Sequence, residues 1–470
     1  YPLFSIIQIR VIEAETWIDK NFLNPFSFSH FNLSTRESAT FTGDNSLQNV
    51  ISRVTGGELS HINGRLTSEI GQANVYFVNP AGIIFGNNAQ INVPAAFYAS
   101  TADKLTFTDG TPFSASNPQA NQLTLAAPDS FGFTSDQTGQ MTITAQGLVF
   151  QPDTTVHFSS QQLTIHQADI QGEGIQLQLY ATGNAAQAIN LHNLPTQALQ
   201  GNIDIQQSAI EVSGNGTEQI LIRGGDIAVT DSTLYADNIG TADHSEAPAV
   251  DVSASHLYLN NSELASAALS SGATGHINII VENSLDIFHA AQINAVTFAQ
   301  GHAGEVHIAA GEVRIDGQEA SILTGISSLA MPGSQGHANS VNLTVNGLLS
   351  VANGGGIRSS TFATGHAGTI TIIADEVFVN NQDANVFTGI SSSAEAESQG
   401  HAGGVNINST GLLSVLNGGE VRSSTFSLGN AGEVNIVANE VLVDREASAF
   451  PTGISSSALP NSQGNAGSVN

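Results

Sequence analysis

Along most of the chain, aliphatic residues alternate with polar ones over stretches too short for helices. In "GTITIIADEVFV" (368–379), Ile370 and Ile372 alternate with polar neighbours; after Ala374, Asp375 and Glu376 a second alternation puts Val377 and Val379 on one face. Period-two patterning of this kind predicts β-strands. The same columns hold Val306, Ile308, Val313 and Ile315 earlier in the chain, and Val434, Ile436, Val441 and Val443 later. Each stretch is followed by a third short β-like segment, such as "VFTGISS" (386–392) or "EVRSSTF" (420–426), and a Gly-rich turn.

These columns repeat. "GHAG" occurs at Gly301, Gly365 and Gly400, with "GHAN" at Gly336 and "GNAG" at Gly429 and Gly464, giving intervals of 35, 29, 35, 29 and 35 residues. The full period is therefore 64 residues made of two unequal halves, which "TGISS" at Thr324, Thr388 and Thr452 obeys, as does the "TF" ending at Phe298, Phe362 and Phe426. A pattern repeated in register is what stacked parallel strands require, because a one-residue slip would turn every aliphatic outward. Three strands and three turns per half predict one coil of a parallel β-helix, right-handed because parallel crossovers are overwhelmingly so. Gly at 47 of 470 residues and the lack of 3.6-residue spacing argue against a helical solenoid. Upstream of residue 300 the repeat loosens while short strands such as "QMTITAQGLVF" (140–150) and "IQLQLYATG" (175–183) persist, with no linker between. The expected organisation is an N-terminal segment over 1–24, a distinct domain over 25–135, irregular β-helix coils over 136–300, and regular coils over 301–470.

Charge narrows the partners. With 40 acidic and 11 basic residues the formal net charge is −29, which disfavours nucleic acid and anionic membrane surfaces. The chain has no cysteine, so disulfides and thiolate metal sites are excluded. No run of 18 apolar residues offers a membrane-spanning helix. The chain starts at Tyr1, without a recognisable leader, and stops inside a repeat at "GNAGSVN", so it reads as a fragment open at both ends.

One stretch stands apart from the array. In "NPAGIIFGNNAQINV" (79–93), Pro80 presets φ for a turn, Gly82 permits positive φ, and the Asn79 side chain can bond the turn backbone. Around it, "FSFSHFNLSTRESATFTG" (26–43), "NVISRVTGG" (49–57), "INGRLTS" (62–68), "ANVYFVNPAGIIFGNNAQINVPAAFYASTAD" (73–103) and "DSFGFTS" (129–135) follow one another in order. In that order the stretch resembles the N-terminal secretion domain of filamentous-haemagglutinin-like exoproteins of the two-partner secretion class. The resemblance implies a Gram-negative protein exported through a dedicated outer-membrane β-barrel transporter, folding outside as a β-helix and acting as a secreted or surface adhesin with no catalytic residue and no cofactor. The family's Asn-Pro-Asn-Gly secretion motif falls on Asn79, Pro80, Ala81 and Gly82, which are the expected transporter-recognition residues, and Ala81 departs from it. Residues 1–24 match nothing in that family. A carbohydrate ligand on a host or cell surface follows from the resemblance alone. The lack of cysteine suits passage through an oxidising periplasm, where a premature disulfide would block export.

Other chemistry is thinner. His276, His302, His337, His366 and His401 share one Gly-flanked turn position, with Asn430 and Asn465 replacing His in later coils. Free exchange with Asn, and no carboxylate at a fixed offset, favour a turn residue over a metal ligand. "RGGDIAV" (223–229) does not repeat as calcium-binding rolls do. Because β-helices include polysaccharide-degrading enzymes, the charged residues of the array are candidates for a site: Arg358 and Arg422 are period-equivalent, as are Glu312, Glu376 and Glu440, whereas a catalytic site would break the repeat. Arg445, between Asp444 and Glu446, does break it, and a charged turn accounts for that trio. A passive stalk presenting a C-terminal effector remains the alternative to an adhesin.

Overall fold

The computed structural model describes residues 8–13, 23–117, 124–134, 139–244, 246–318, 320, 322–382, 384–446 and 448–470. Of the segment 1–24, only Gln8–Glu13 and the start of Leu23–Phe28 fall among these. The described residues form strands, bridges, turns, bends and irregular connections, and no helix among them is long and apolar enough to cross a membrane. The chain divides into two compact units, residues 1–211 with 221–227, and residues 212–220 with 228–470.

The first unit is a parallel β-helix with three columns of short strands. One column stacks Leu23–Phe28, Asn49–Val54, Asn74–Val78, Phe97–Ser100, Thr155–Ser160 and Gln176–Ala181. A second stacks Ser60–Ile62, Ile83–Phe85, Gln140–Ile143, Gln162–His166 and Ile203–Gln206. In the third, Glu37–Thr42, Arg65–Ser68 and Gln90–Asn92 are in parallel register. Rings fill the interior: Phe85 packs edge-on against Phe97 and Phe158 at 6.2 and 5.7 Å between centroids, and all three are buried.

Against one flank lies an antiparallel sheet that the alternating pattern does not announce. It is built from Pro112–Ser114, Lys104–Phe107, Pro128–Phe133 and Gln187–Asn190 in that order. Its inner residues, Leu105, Phe107, Phe131 and Ile189, close a second core over Ile51, Tyr76, Val78 and Tyr180. At about 1.5–3 kcal/mol per fully buried large apolar side chain, this layer is a substantial part of the unit's stability.

The second unit is the regular array. The two alternating segments of each coil join into one strand of 11 or 12 residues, as in Ile277–Phe288, Val306–Asp316, Val341–Ala352, Ile370–Asn380 and Val405–Leu416. Each carries a register shift at its middle, for instance between Val345 and Leu348. Val306 pairs with Val341, Val341 with Ile370 and Ile370 with Val405, and all four are fully buried. In Val434–Asp444, Val441 and Val443 are half exposed. The remaining segment of each coil forms a second parallel sheet, including Thr324–Ala330, Gly355–Thr361, Thr388–Ala394 and Gly419–Thr425.

The repeated glycine has a steric cause. A Cβ on Gly365 would lie 1.9 Å from the Gly336 carbonyl oxygen, and one on Gly400 would lie 1.8 Å from that of Gly365. Coils approach backbone to backbone here, so the column accepts no side chain.

Candidate functional site: the Asn79 to Gly82 turn

The turn links Asn74–Val78 in one column to Ile83–Phe85 in the next, and its own amide groups close it. The Gly82 N–H donates to the Asn79 carbonyl at 3.1 Å, and the Ala81 N–H donates to Asn79 Oδ1 at 3.0 Å. Neighbouring coils hold it on both sides: Asn79 N–H donates to the Ser100 carbonyl and Ser60 N–H to the Gly82 carbonyl, each at 3.0 Å. Asn79 is 1 % exposed, and its Nδ2 donates to the Glu58 carbonyl at 3.0 Å and to Ser60 Oγ at 2.9 Å. All of the amide's polar atoms are therefore engaged inside the protein. Gly82 sits at φ +127°, and a Cβ there would meet the Gln140 carbonyl oxygen at 3.0 Å, so glycine is required on both counts.

Pro80 is buried as well, leaving Ala81 as the half-exposed member of the four. Beside it is a concavity of about 350 Å³, lined by Val54, Thr55, Gly57, Ala115, Ser116 and Gly139 together with the turn. Sequence reasoning placed the turn and missed its supports. Ser60, Ser100 and Glu58 come from other coils, and Gly139 approaches so closely that a Cβ would lie 2.4 Å from the Pro80 carbonyl oxygen. Only a register between distant strands reveals those neighbours.

The other candidates are local. The imidazoles of His302, His337, His366 and His401 stack with centroids 4.7 to 4.9 Å apart. Nδ1 of each accepts the backbone N–H of the next turn residue, at 3.0, 2.7, 3.0 and 2.8 Å, ending on Asn430. Each neutral ring therefore carries its proton on Nε2, so neither nitrogen offers a free lone pair to a metal. Among the described residues no group of three or more His, Cys, Asp or Glu is arranged to hold a metal ion. Arg314 pairs with Glu312 at 2.6 Å, and Arg422 with Glu420 at 2.7 Å. Arg358 and Arg422 stand over Phe387 of the coil between them at 4.7 and 4.4 Å, and burial lowers the Arg358 pKa to about 10. Arg445 bonds the carbonyls of Ser448 and Ala449 within its own turn.

The family described as the TPS secretion domain matches residues 19–262, just over half of the chain, and so takes in residues 19–24 of the segment expected to lie outside the family. The chain belongs to that family. The TPS match takes in the Asn79 to Gly82 turn and the whole antiparallel sheet. Among solved structures, the chain is similar to the HMW1 secretion domain from Haemophilus influenzae at 16 % identity, over 96 % of each chain, with a TM-score of 0.36. Among curated proteins none matches. Membership makes this TPS protein an exoprotein carried across the outer membrane by a two-partner system, whose other partner is an outer-membrane transporter.

Proposed function

We propose that this chain is a haemagglutinin-like adhesin, secreted or displayed at the cell surface, and that its transporter reads the Asn79 to Gly82 turn. The observation that carries the reading is the TPS match together with the form of the turn inside it. Asn79 acts from within, holding the turn rigid, while Ala81 and the adjoining concavity face outward. On this account the transporter recognises a preformed corner and its hollow, not the asparagine amide. A regular β-helix beyond the secretion domain supplies a wall of repeated surface for adhesion, in which Arg422 bonds Glu420 on its own strand, Arg445 bonds within its own turn and Arg358 stacks on a neighbouring ring.

The test is to give the chain a leader and express it with and without a family transporter. Extracellular or surface-bound protein that depends on the transporter, and cells that then gain adherence to other cells or to a glycan-coated surface, are the expected results. Export without any gain in adherence would remove the adhesin reading and favour a passive stalk.

A further inference from the structure

The second unit carries an exposed apolar ridge beside a column of uncharged hydrogen-bonding groups. Leu269, Phe298, Met331 and Phe362 follow one another rung by rung, each at the end of a strand of the shorter sheet. Phe298 N–H donates to the Ala268 carbonyl at 2.9 Å, Met331 to Thr297 at 2.9 Å and Phe362 to Ala330 at 2.8 Å. Leu269 is 45 % exposed, Phe298 51 % and Phe362 36 %. Parallel to the ridge run the exposed side chains of Gln300, Gln335 and Thr364. Alongside the column, which supplies Gln300 and Gln335 to its lining, is a groove of about 380 Å³, completed by Ser270, Ser271, Ala299 and Gly333, the residues that follow Leu269, Phe298 and Met331 in the chain.

We propose that this ridge and groove bind an extended, uncharged, β-1,4-linked glycan. The proposal deepens the adhesin reading, and rests on it only for the ligand's location outside the cell. Charge selects the partner's class. The chain segments 264–276, 296–304, 329–340 and 359–374, which build the patch, contain no Asp, Glu, Lys or Arg in a protein of net charge −29. The histidines of these turns are neutral while Nδ1 accepts backbone N–H groups. An anionic ligand finds no countercharge in these segments and meets Glu395, whose N–H donates to the Thr361 carbonyl at 2.8 Å, on the rung after Phe362; a second copy of this acidic chain meets long-range repulsion.

Geometry selects the ligand's form. Phe298 and Phe362 lie two rungs apart, roughly 10 Å at the usual ~4.8 Å between strands. In a β-1,4-linked chain each sugar ring is turned over relative to the last, so the same C–H face recurs at every second residue along a straight polymer. Two such faces meet the two phenyl rings, while ring hydroxyls reach the amides of Gln300 and Gln335 and the Ser270 and Ser271 hydroxyls. An aromatic platform with a few uncharged polar groups is the usual make-up of a ligand groove.

The experiment is calorimetric titration of the full chain with a β-1,4-linked glucose hexamer, with an α-1,4-linked glucose hexamer as the curved control. The β-linked hexamer should bind and the α-linked one should not. The double variant Phe298→Ala, Phe362→Ala should weaken binding about tenfold or more, and Gln300→Ala should weaken it less. Both rings are exposed, so an unchanged melting curve is expected for the double variant. No binding of the β-linked hexamer, equal binding of the α-linked one, or binding indifferent to the double variant would each overturn the assignment. So would light scattering that shows a dimer abolished by the same two substitutions, because the ridge would then be a contact between copies. Transporter-dependent export and adherence that persist alongside such a failure would leave the adhesin reading standing.

Discussion

His337 and His366 lie ring on ring, 4.9 Å between centroids and 11° from parallel, and the backbone N–H of His366 donates to Nδ1 of His337 at 2.7 Å. Protonating His337 on Nδ1 breaks that bond, and protonating several rings of the column sets like charges face to face. Partial burial lowers the His337 pKa first, and then the imidazoles of His302 and His366; for His366 the causes are burial and then His401.

The sign of the pH dependence follows. A histidine whose folded pKa is depressed takes up fewer protons folded than unfolded, so stability is full above the unfolded value near 6.5 and falls as pH drops through it. The second unit should therefore lose thermal stability from about pH 6.5 downward. Replacing His302, His337, His366 and His401 by Asn, the residue already present at Asn430 and Asn465, should flatten that dependence. Melting temperature against pH for both proteins is the check, and an equally steep loss in the Asn variant would show that other groups titrate.

A second acid-sensitive point lies in the first unit. His157 is fully buried, its Nδ1 within 2.9 Å of Gln178 Oε1, and its ring packs among Tyr98, Phe131 and Tyr180. Burial pushes its pKa down to about 4, so it is neutral at neutral pH. Between pH 6.5 and about 4 the unfolded chain gains the extra proton, costing on the order of 3 kcal/mol at 1.36 kcal/mol per unit. His157→Gln should start less stable at pH 7, where a packed ring is lost, and lose less on acidification; parallel acid-denaturation curves would contradict this.

The glycine column offers a steric test. Gly365→Ala forces a methyl group against the Gly336 carbonyl and should destabilise by roughly 2–4 kcal/mol. Denaturant titration of the variant against the native protein is the check, and an unchanged stability would mean the coils can slide apart at little cost.

How far the sequence reached depended on whether a feature is periodic. The columns through Val306, Ile370 and Val434 were legible because a buried parallel register repeats the same face in every coil. The antiparallel sheet was not legible, since Pro112–Ser114 is three residues long and Gln187–Asn190 joins Pro128–Phe133 across more than fifty residues. At the turn, the type and the need for Gly82 were readable from four residues. The engagement of the Asn79 amide by Glu58 and Ser60 was not, because it depends on which coil lies beneath. The histidine column was visible as a spacing, but its N–H to Nδ1 chain exists only once coils are stacked.

The most direct measurement is transporter-dependent export of this chain, given a leader, for the native turn, Ala81→Asn and Asn79→Ala, each paired with a melting curve of the purified protein. Ala81 is half exposed beside the concavity, so Ala81→Asn should leave stability within about 0.5 kcal/mol and raise export. Asn79→Ala strips bonds from Glu58, Ser60 and Ala81 and should cost about 2–3 kcal/mol along with export. Export that rises with Ala81→Asn at unchanged stability ties the turn to the transporter, whereas export indifferent to both substitutions and to the transporter would contradict the account.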